Sequence, residues 1–435
     1  MSQTNKQNGS IIAIVTMFFL YAMISFVTNL GAPIGVIWKN QPEIGGSNVL
    51  GIMGNFMNFF AYLFMGIPAG KMLTKVGYKK TALIGLVIGI VGILIQWCSG
   101  LIDAGDGSNI GTVFGVYLLG AFISGLTMCI LNCVVNPMLN LLGGGGNKGN
   151  QLIQVGGVFN STAAVCCYIL MGALIADATK AKIADATPAL MIALAIFVIA
   201  FVVILFTKIE EPEQAPVQVS LIKGALSYRH FALGALAIFL YMGIEVGVPN
   251  YVLQFLVAGK EAGGFGISAG TAGLLVAVYW FMMLVGRFAG AAIGSAVSSR
   301  TMVTTVSIAT LCLVLFGMFA PQDVLVSFPG VDWGKLEVIW QEIPVGIFAF
   351  LLVGLCTSVM WGAIFNMAVE GLGKYTAIAS GIFMTMVFGC AVMMAIQGAV
   401  ADATNYITSF WVVVACAAYI LFYALVGSRV SKKEN

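Results

Sequence analysis

The sequence predicts an all-α integral membrane protein with twelve transmembrane helices in two pseudo-symmetric halves of six. Composition points there first: 60% of the 435 residues are hydrophobic and only 9% are charged. A soluble domain carries about 25% charged residues, so too few are present here to clothe a water-facing surface. Apolar runs long enough to cross a bilayer recur from end to end, and two short motifs recur at nearly the same offset. The net charge of +3 is too small to point to a nucleic-acid partner. The expected surroundings are the lipid bilayer.

Taken in order, the apolar stretches are 11–37, 48–71, 78–100, 110–142, 150–177, 187–207, 229–257, 268–295, 301–320, 341–370, 374–402 and 404–428. All twelve are read as helices, because lipid requires every backbone polar group to be satisfied within the segment. The N-terminal "MSQTNKQNGSIIAIVTMFFLYAMISF" stays apolar for too long to be a cleaved signal peptide and is read as a retained first span. The longest polar break, "KIEEPEQAPVQVSLIKGALSYRH", follows the sixth stretch. It divides the chain into an N-terminal half at 1–208, a linker at 209–228 and a C-terminal half at 229–435.

Lysine and arginine set the orientation. With the N-terminus inside, the inner face holds Lys6, Lys71, Lys75, Lys79, Lys80, Lys148, Lys208, Lys223, Arg229, Arg287, Arg300, Lys374, Arg429, Lys432 and Lys433. The outer face holds Lys39, Lys180, Lys182, Lys260 and Lys335. Fifteen of the 20 basic residues against five predicts two cytoplasmic termini.

The repeat is visible at two places. "GIPAGKMLTKVGYKK" (66–80) and "GRFAGAAIGSAVSSR" (286–300) share Gly66/Gly286, Ala69/Ala289, Gly70/Gly290 and the terminal cation Lys80/Arg300, 220 residues apart. "IADAT" (175–179) and "VADAT" (400–404) close the fifth and eleventh stretches, 225 apart. Two six-helix repeats are a transporter architecture, with the substrate site at mid-depth between them.

Other features carry less chemistry. The nine cysteines, Cys98, Cys129, Cys133, Cys166, Cys167, Cys312, Cys356, Cys390 and Cys416, all fall in apolar runs without CxxC spacing or histidine partners, and read as small buried hydrophobes. "GGGGNKGN" (143–150) lacks the Gly-Lys-Ser/Thr of a phosphate loop, and "DAGDGSN" (103–109) is no complete calcium loop. His230 is read as interfacial. No metal and no cofactor are expected.

"GIPAGKMLTKVGYKK" resembles the signature loop of the major facilitator superfamily, without its usual acidic residue. Over nearly its whole length the chain also resembles the L-fucose–proton symporter family of sugar permeases. The second-span exit, "LNCVVNPMLNLLG" in the fourth span, "FNS" at 159–161, "GIEV" at 243–246, "GRFAG" and "IFNMAVEGLGKYT" (364–376) carry that resemblance. It implies the major facilitator fold and sugar transport. In the family, the first span pairs asparagines with an aspartate; here Asn29 matches and the aspartate position is Ala32. The family's fourth-span glutamate corresponds to Asn132 and its fifth-span glutamine to Gly157. Both protonatable groups of the family's N-terminal half are therefore absent, which puts its route of proton coupling in question.

Glu245 sits in "FALGALAIFLYMGIEVGVPNYVLQFLVA", with no other charge within a dozen residues. A charge at mid-membrane costs roughly 2.5–3.5 kcal/mol on insertion scales, so it requires a role. Three are open: a proton-coupling site, an acid hydrogen-bonding a sugar hydroxyl, or a tether to a neighbouring helix. Proline deprives the carbonyl four residues earlier of its donor. Pro33, Pro137 and Pro249 thus free the carbonyls of Asn29, Cys133 and Glu245, beside the polar positions.

Asn132 and Asn136 share a face of the fourth span, and Asn55 and Asn58 a face of the second. Amides that both donate and accept suit a polyhydroxylated ligand. Asn29, Asn132, Asn136, Asn160, Glu245, Asn366 and Trp361 are the candidate substrate-binding residues, with Glu245 the candidate proton site. Arg287, near the cytoplasmic end of the eighth span, is read as an inner gate or as a snorkelling anchor.

The expected activity is import of a small sugar (monosaccharide, disaccharide or amino sugar) by alternating access, coupled to protons. The expected setting is a bacterial inner membrane, and the expected state is a monomer. The rivals are a uniporter or exporter of another small solute, and a transporter-like membrane sensor. An enzyme would need clustered histidines or acids at one membrane face, and the chain has neither.

Overall fold

In a computed structural model, residues 3–143, 146–175, 180–208, 218–293, 296–333, 335 and 337–430 are described. Most of "IADAT" (175–179), Gly144 and Gly145 of the glycine-rich loop, residues 209–217 of the linker, and Lys432 and Lys433 lie outside them.

Eleven described helices are long and apolar enough to cross a membrane. They are span 1 (Ile11–Lys39), span 3 (Tyr78–Leu101), span 4 (Ile110–Leu139), span 5 (Leu152–Leu174), span 6 (Ile183–Phe206) and span 7 (Arg229–Val257). After them come span 8 (Ala269–Ile293), span 9 (Ser299–Phe319), span 10 (Val345–Val369), span 11 (Ile378–Ala403) and span 12 (Tyr406–Gly427). The remaining one, span 2 (Met53–Val76), has 24 residues, about 36 Å of helix. It is less apolar because it carries Asn55, Asn58, Lys71 and Lys75. Twelve spans therefore stand where twelve apolar stretches were read.

Local sequence explains where they stop and bend. Span 2 ends at Gly77, whose φ of 85° lies in the left-handed region that glycine enters without penalty. Span 1 is interrupted at Leu30, between helices ending at Asn29 and beginning at Gly31, three residues before Pro33. Pro137 and Pro249 are carried inside helices that continue past them.

The two halves repeat one another in packing. Spans 1 and 5, 2 and 4, 3 and 4, and 3 and 6 pack together; so do their counterparts 7 and 11, 8 and 10, 9 and 10, and 9 and 12. The halves meet along two related seams, span 2 against span 11 and span 5 against span 8. Small residues permit the approach: a Cβ on Gly66 would stand 2.4 Å from Thr385 Oγ1, and one on Gly273 would stand 2.7 Å from the Tyr168 carbonyl oxygen. Lys71, Lys75, Lys79, Lys80, Arg300 and Lys374 mark one end of the bundle, the basic end; the other is the distal end.

The stretch before span 10 departs from the all-helical expectation. Residues 341–344, read as the opening of the tenth helix, belong to a hairpin of β1 (Leu325–Asp332) and antiparallel β2 (Glu337–Pro344). "LVSFPGVD" and "EVIWQEIP" alternate and are rich in β-branched and aromatic residues, which favours strands. Gly330 packs on Thr271 at the distal end of span 8. In the distal loop at 103–109, Asp103 and Asp106 accept from the amides of Gly105 (3.0 Å) and Ser108 (2.9 Å). The bonds from Ser108 hold the Asp106 carboxyl below its usual range.

Candidate functional site

Span 7 carries Glu245 into the interior: beyond Arg229 and His230 at its basic-end start it holds no other acidic or basic residue, and its amides Asn250 and Gln254 are buried. Pro249 leaves the Glu245 carbonyl without its helical donor, and the Tyr279 hydroxyl of span 8 takes that place at 2.9 Å. Tyr279 also shares a hydrogen bond with Thr357 Oγ1 at 3.2 Å, and Tyr241 donates to the Thr357 carbonyl at 3.2 Å. Spans 8 and 10 are thus bonded to one another and to the span 7 backbone beside Glu245.

The Glu245 side chain meets Arg287. Arg287 Nη2 lies 3.8 Å from Glu245 Oε1, with the two side chains only 14% and 13% exposed. The guanidinium runs inward, and its other nitrogen bridges to the N-terminal half. Arg287 Nη1 donates to the Gly157 carbonyl, to Ser161 Oγ at 2.9 Å and to Asn160 Oδ1 at 3.5 Å, all on span 5. A planar fork with several donors suits one cation to such a set of oxygens.

From there hydrogen bonds link residue to residue across the N-terminal half. Asn160 Nδ2 donates to the Tyr21 carbonyl at 3.4 Å, and the Tyr21 hydroxyl donates to Asn136 Oδ1. Asn136 Nδ2 donates to the Asn132 carbonyl at 3.1 Å, and Asn132 Nδ2 to the Tyr62 hydroxyl at 2.9 Å. Spans 7, 8, 5, 1, 4 and 2 each contribute to a line of donors and acceptors at mid-depth. One carboxylate and one guanidinium sit at its C-terminal end, and amides and phenols form the rest.

Gly157 gains a role in this arrangement. A Cβ there would lie 3.1 Å from Arg287 Cδ and 3.2 Å from Nη1. The missing side chain is the space the guanidinium occupies, so the departure from the symporter pattern at 157 and the inward reach of Arg287 go together.

Of the residues named from sequence, the structure joins Asn132, Asn136, Asn160, Glu245 and Arg287 in this line. Trp361 packs on Tyr241 with ring centroids 6.2 Å apart. Asn29 is buried and satisfied within its own helix, donating to the Ser25 carbonyl at 2.9 Å. Asn366 is exposed, three residues from the end of span 10. Asn55 and Asn58 face a separate cavity of about 20 Å³ inside the N-terminal half, with Gln96, Tyr117 and Ser124. Tyr21, Tyr62 and Ser161 escaped the sequence reading. Their signal was a polar hydroxyl in an apolar helix, which must find a partner when buried.

Two six-helix repeats meeting over a polar line at mid-depth define the class, a membrane carrier. A model of the Major Facilitator Superfamily matches residues 10–386, and the chain belongs to that superfamily. It is a multi-pass membrane transporter, not an enzyme.

The glucose/galactose transporter of Brucella abortus is 28% identical over 98% of this chain and 97% of its own. The L-fucose-proton symporter of Escherichia coli is 21% identical over 95% of this chain and 92% of its own. The crystal structure of the E. coli fucose:proton symporter superposes with a TM-score of 0.66 at 20% identity, covering 96% of this chain and 98% of that one.

Proposed function

We propose that the chain imports a small sugar by alternating access, coupled to protons through Glu245. The observation that carries this is the Glu245–Arg287 pair, held in the C-terminal half on one side and tied to Gly157, Asn160 and Ser161 of the N-terminal half on the other. A charge contact that bridges two moving halves is a place where protonation and conformation act on each other. Protonating Glu245 removes the attraction holding the guanidinium and leaves Arg287 with its span 5 acceptors alone. In this scheme Arg287 is the gating element. Asn132, Asn136, Asn160 and Tyr21 present the mixed donors and acceptors that sugar hydroxyls need, and Trp361 offers a flat apolar face. The sugar transport named for the relatives supports the substrate class.

The halves are taken as 1–208 and 229–435 with the linker between. The excess of lysine and arginine at the basic end supports placing it, and both termini, in the cytoplasm of a bacterial inner membrane. The protein works there as a monomer in lipid, and the distal end is then the outer face.

One observation favours uniport: neither family carboxylate of the N-terminal half is present, at Ala32 and Asn132. Uptake of a panel of labelled sugars into vesicles holding the purified protein, with and without an inward proton gradient, separates the readings. Concentrative uptake of one sugar under the gradient supports symport. Equilibrating flux indifferent to the gradient supports uniport, and flux of no sugar overturns the substrate class.

A further inference from the structure

At the distal end, about as far from the Glu245 site as the membrane allows, a second polar cluster joins the halves. Asp402, at the end of span 11, accepts four hydrogen bonds from the chain entering span 2. They come from Ser47 Oγ (2.9 Å), the Asn48 amide (2.7 Å), Asn48 Nδ2 (2.6 Å) and the Val49 amide (3.2 Å). Two of these donors are backbone N–H groups at an opening helical turn, which lack helical partners and favour a negative charge.

Lys39, at the end of span 1, is 7% exposed. Its Nζ donates to Asn48 Oδ1 at 2.6 Å and to the Tyr406 hydroxyl at the start of span 12, and lies 4.8 Å from the Tyr406 ring centre. Asn48 therefore stands between a cation of its own half and a carboxylate of the other. Gly398, one turn before Asp402, lets the chain come this close: a Cβ there would lie 3.3 Å from the Val49 Cα. At the same end, on the side of spans 5 and 8, a cavity of about 20 Å³ lies between the halves, lined by Pro33, Val36, Tyr168, Met171 and Leu253 among others.

We infer that Asp402 and Lys39, with Asn48 and Tyr406, are the outer gate: a polar latch that forms when the distal end closes and must break for sugar to enter. The chemistry suits a reversible lock. Charge-assisted hydrogen bonds are roughly twice as strong as neutral ones. Asp402 sits at the exposed rim of the cluster while Lys39 and Asn48 are buried, and Lys39 gains water once the halves part. All the polar partners of Asp402 given above, and the ring over Lys39, lie across the dividing seam. The latch therefore stabilises the closed state and leaves the open state unaffected. Calling it outer rests on the orientation proposed above.

The test is labelling of Leu253→Cys, buried at 4% exposure in the cavity between the halves at the distal end, with a membrane-impermeant maleimide, scored against the same protein without that cysteine. With the latch intact, labelling is slow. Adding Asp402→Ala raises the rate by about tenfold, as losing charge-assisted bonds from one side of a two-state equilibrium implies; Lys39→Ala acts in the same direction.

A second measurement guards against simple unfolding. The pair Ser47→Cys/Asp402→Cys, oxidised, stops sugar uptake, and reductant restores it. Unchanged labelling in the Asp402 variant, or full uptake by the cross-linked protein, overturns the latch. Labelling in detergent tests the latch alone, whereas labelling in vesicles of each sidedness tests the orientation. Reaction from the cytoplasmic side only would overturn the word outer and leave the latch standing.

Discussion

The Arg287 guanidinium lies 3.8 Å from the Glu245 carboxylate and is held there by span 5 of the opposite half. Neither residue is placed by its own helix alone. The Glu245 carbonyl, freed by Pro249, is held by the Tyr279 hydroxyl of span 8, and Arg287 fills the space that Gly157 leaves open. Among the described residues, the two charges at the site come as a pair, so the site can carry a proton without stranding a lone ion.

Arg287→Ala leaves Glu245 buried and unpaired. Removing one partner of a buried pair costs roughly 3–5 kcal/mol, so thermal unfolding in detergent moves to clearly lower temperature and transport is lost. Adding Glu245→Gln removes the stranded charge and recovers part of the stability. A double-mutant cycle that sums to the two single effects would show that the residues do not interact.

Tyr279→Phe removes the hydroxyl that satisfies the Glu245 carbonyl. A buried acceptor left without its donor costs about 1–3 kcal/mol. The same change at Tyr419, whose hydroxyl donates to the Leu233 carbonyl at 3.2 Å near the basic end, serves as a comparison. Denaturation midpoints measure both, and transport should fall only for Tyr279.

At Gly157 the effect follows side-chain size. Alanine forces a shift of a few tenths of an ångström in the arginine, an overpacking cost of about 1–3 kcal/mol, and transport slows. Glutamine takes the space of the guanidinium itself, so stability falls and transport fails; adding Arg287→Ala relieves the clash and recovers stability but not transport. Thermal unfolding of Gly157→Gln alone and combined with Arg287→Ala, beside uptake by each, measures this.

Tyr21→Phe removes the hydroxyl that donates to Asn136 Oδ1 while keeping the ring. The hydrogen bond is worth about 1 kcal/mol, so stability changes little. Apparent sugar affinity, read from the concentration dependence of uptake, weakens by roughly fivefold if the line binds the sugar.

Much of this was legible in the sequence, because lipid narrows the choices. Apolar length alone gave the twelve spans, and the shared glycines and cations gave the repeat. The site amides on spans 4 and 5 were found because polar side chains in lipid-buried helices need partners. The Arg287–Glu245 pairing was not legible. Arg287 lies six residues from the end of span 8, where a long side chain reaches either to the interface or inward, and only packing decides. The distal hairpin was not legible because its alternation is split between a loop and the apolar opening of the tenth stretch. Asp402 was recognised as part of a repeated motif, but nothing local shows that it caps a turn belonging to the other half.

The most direct test compares two modes of transport by Glu245→Gln in vesicles of purified protein. The account predicts that exchange of labelled for unlabelled sugar persists, because the binding line and the moving halves remain. Accumulation driven by an inward proton gradient disappears, because no group is left to carry the proton. Accumulation by Glu245→Gln equal to that of the unaltered protein would contradict the central claim and place proton coupling elsewhere in the chain.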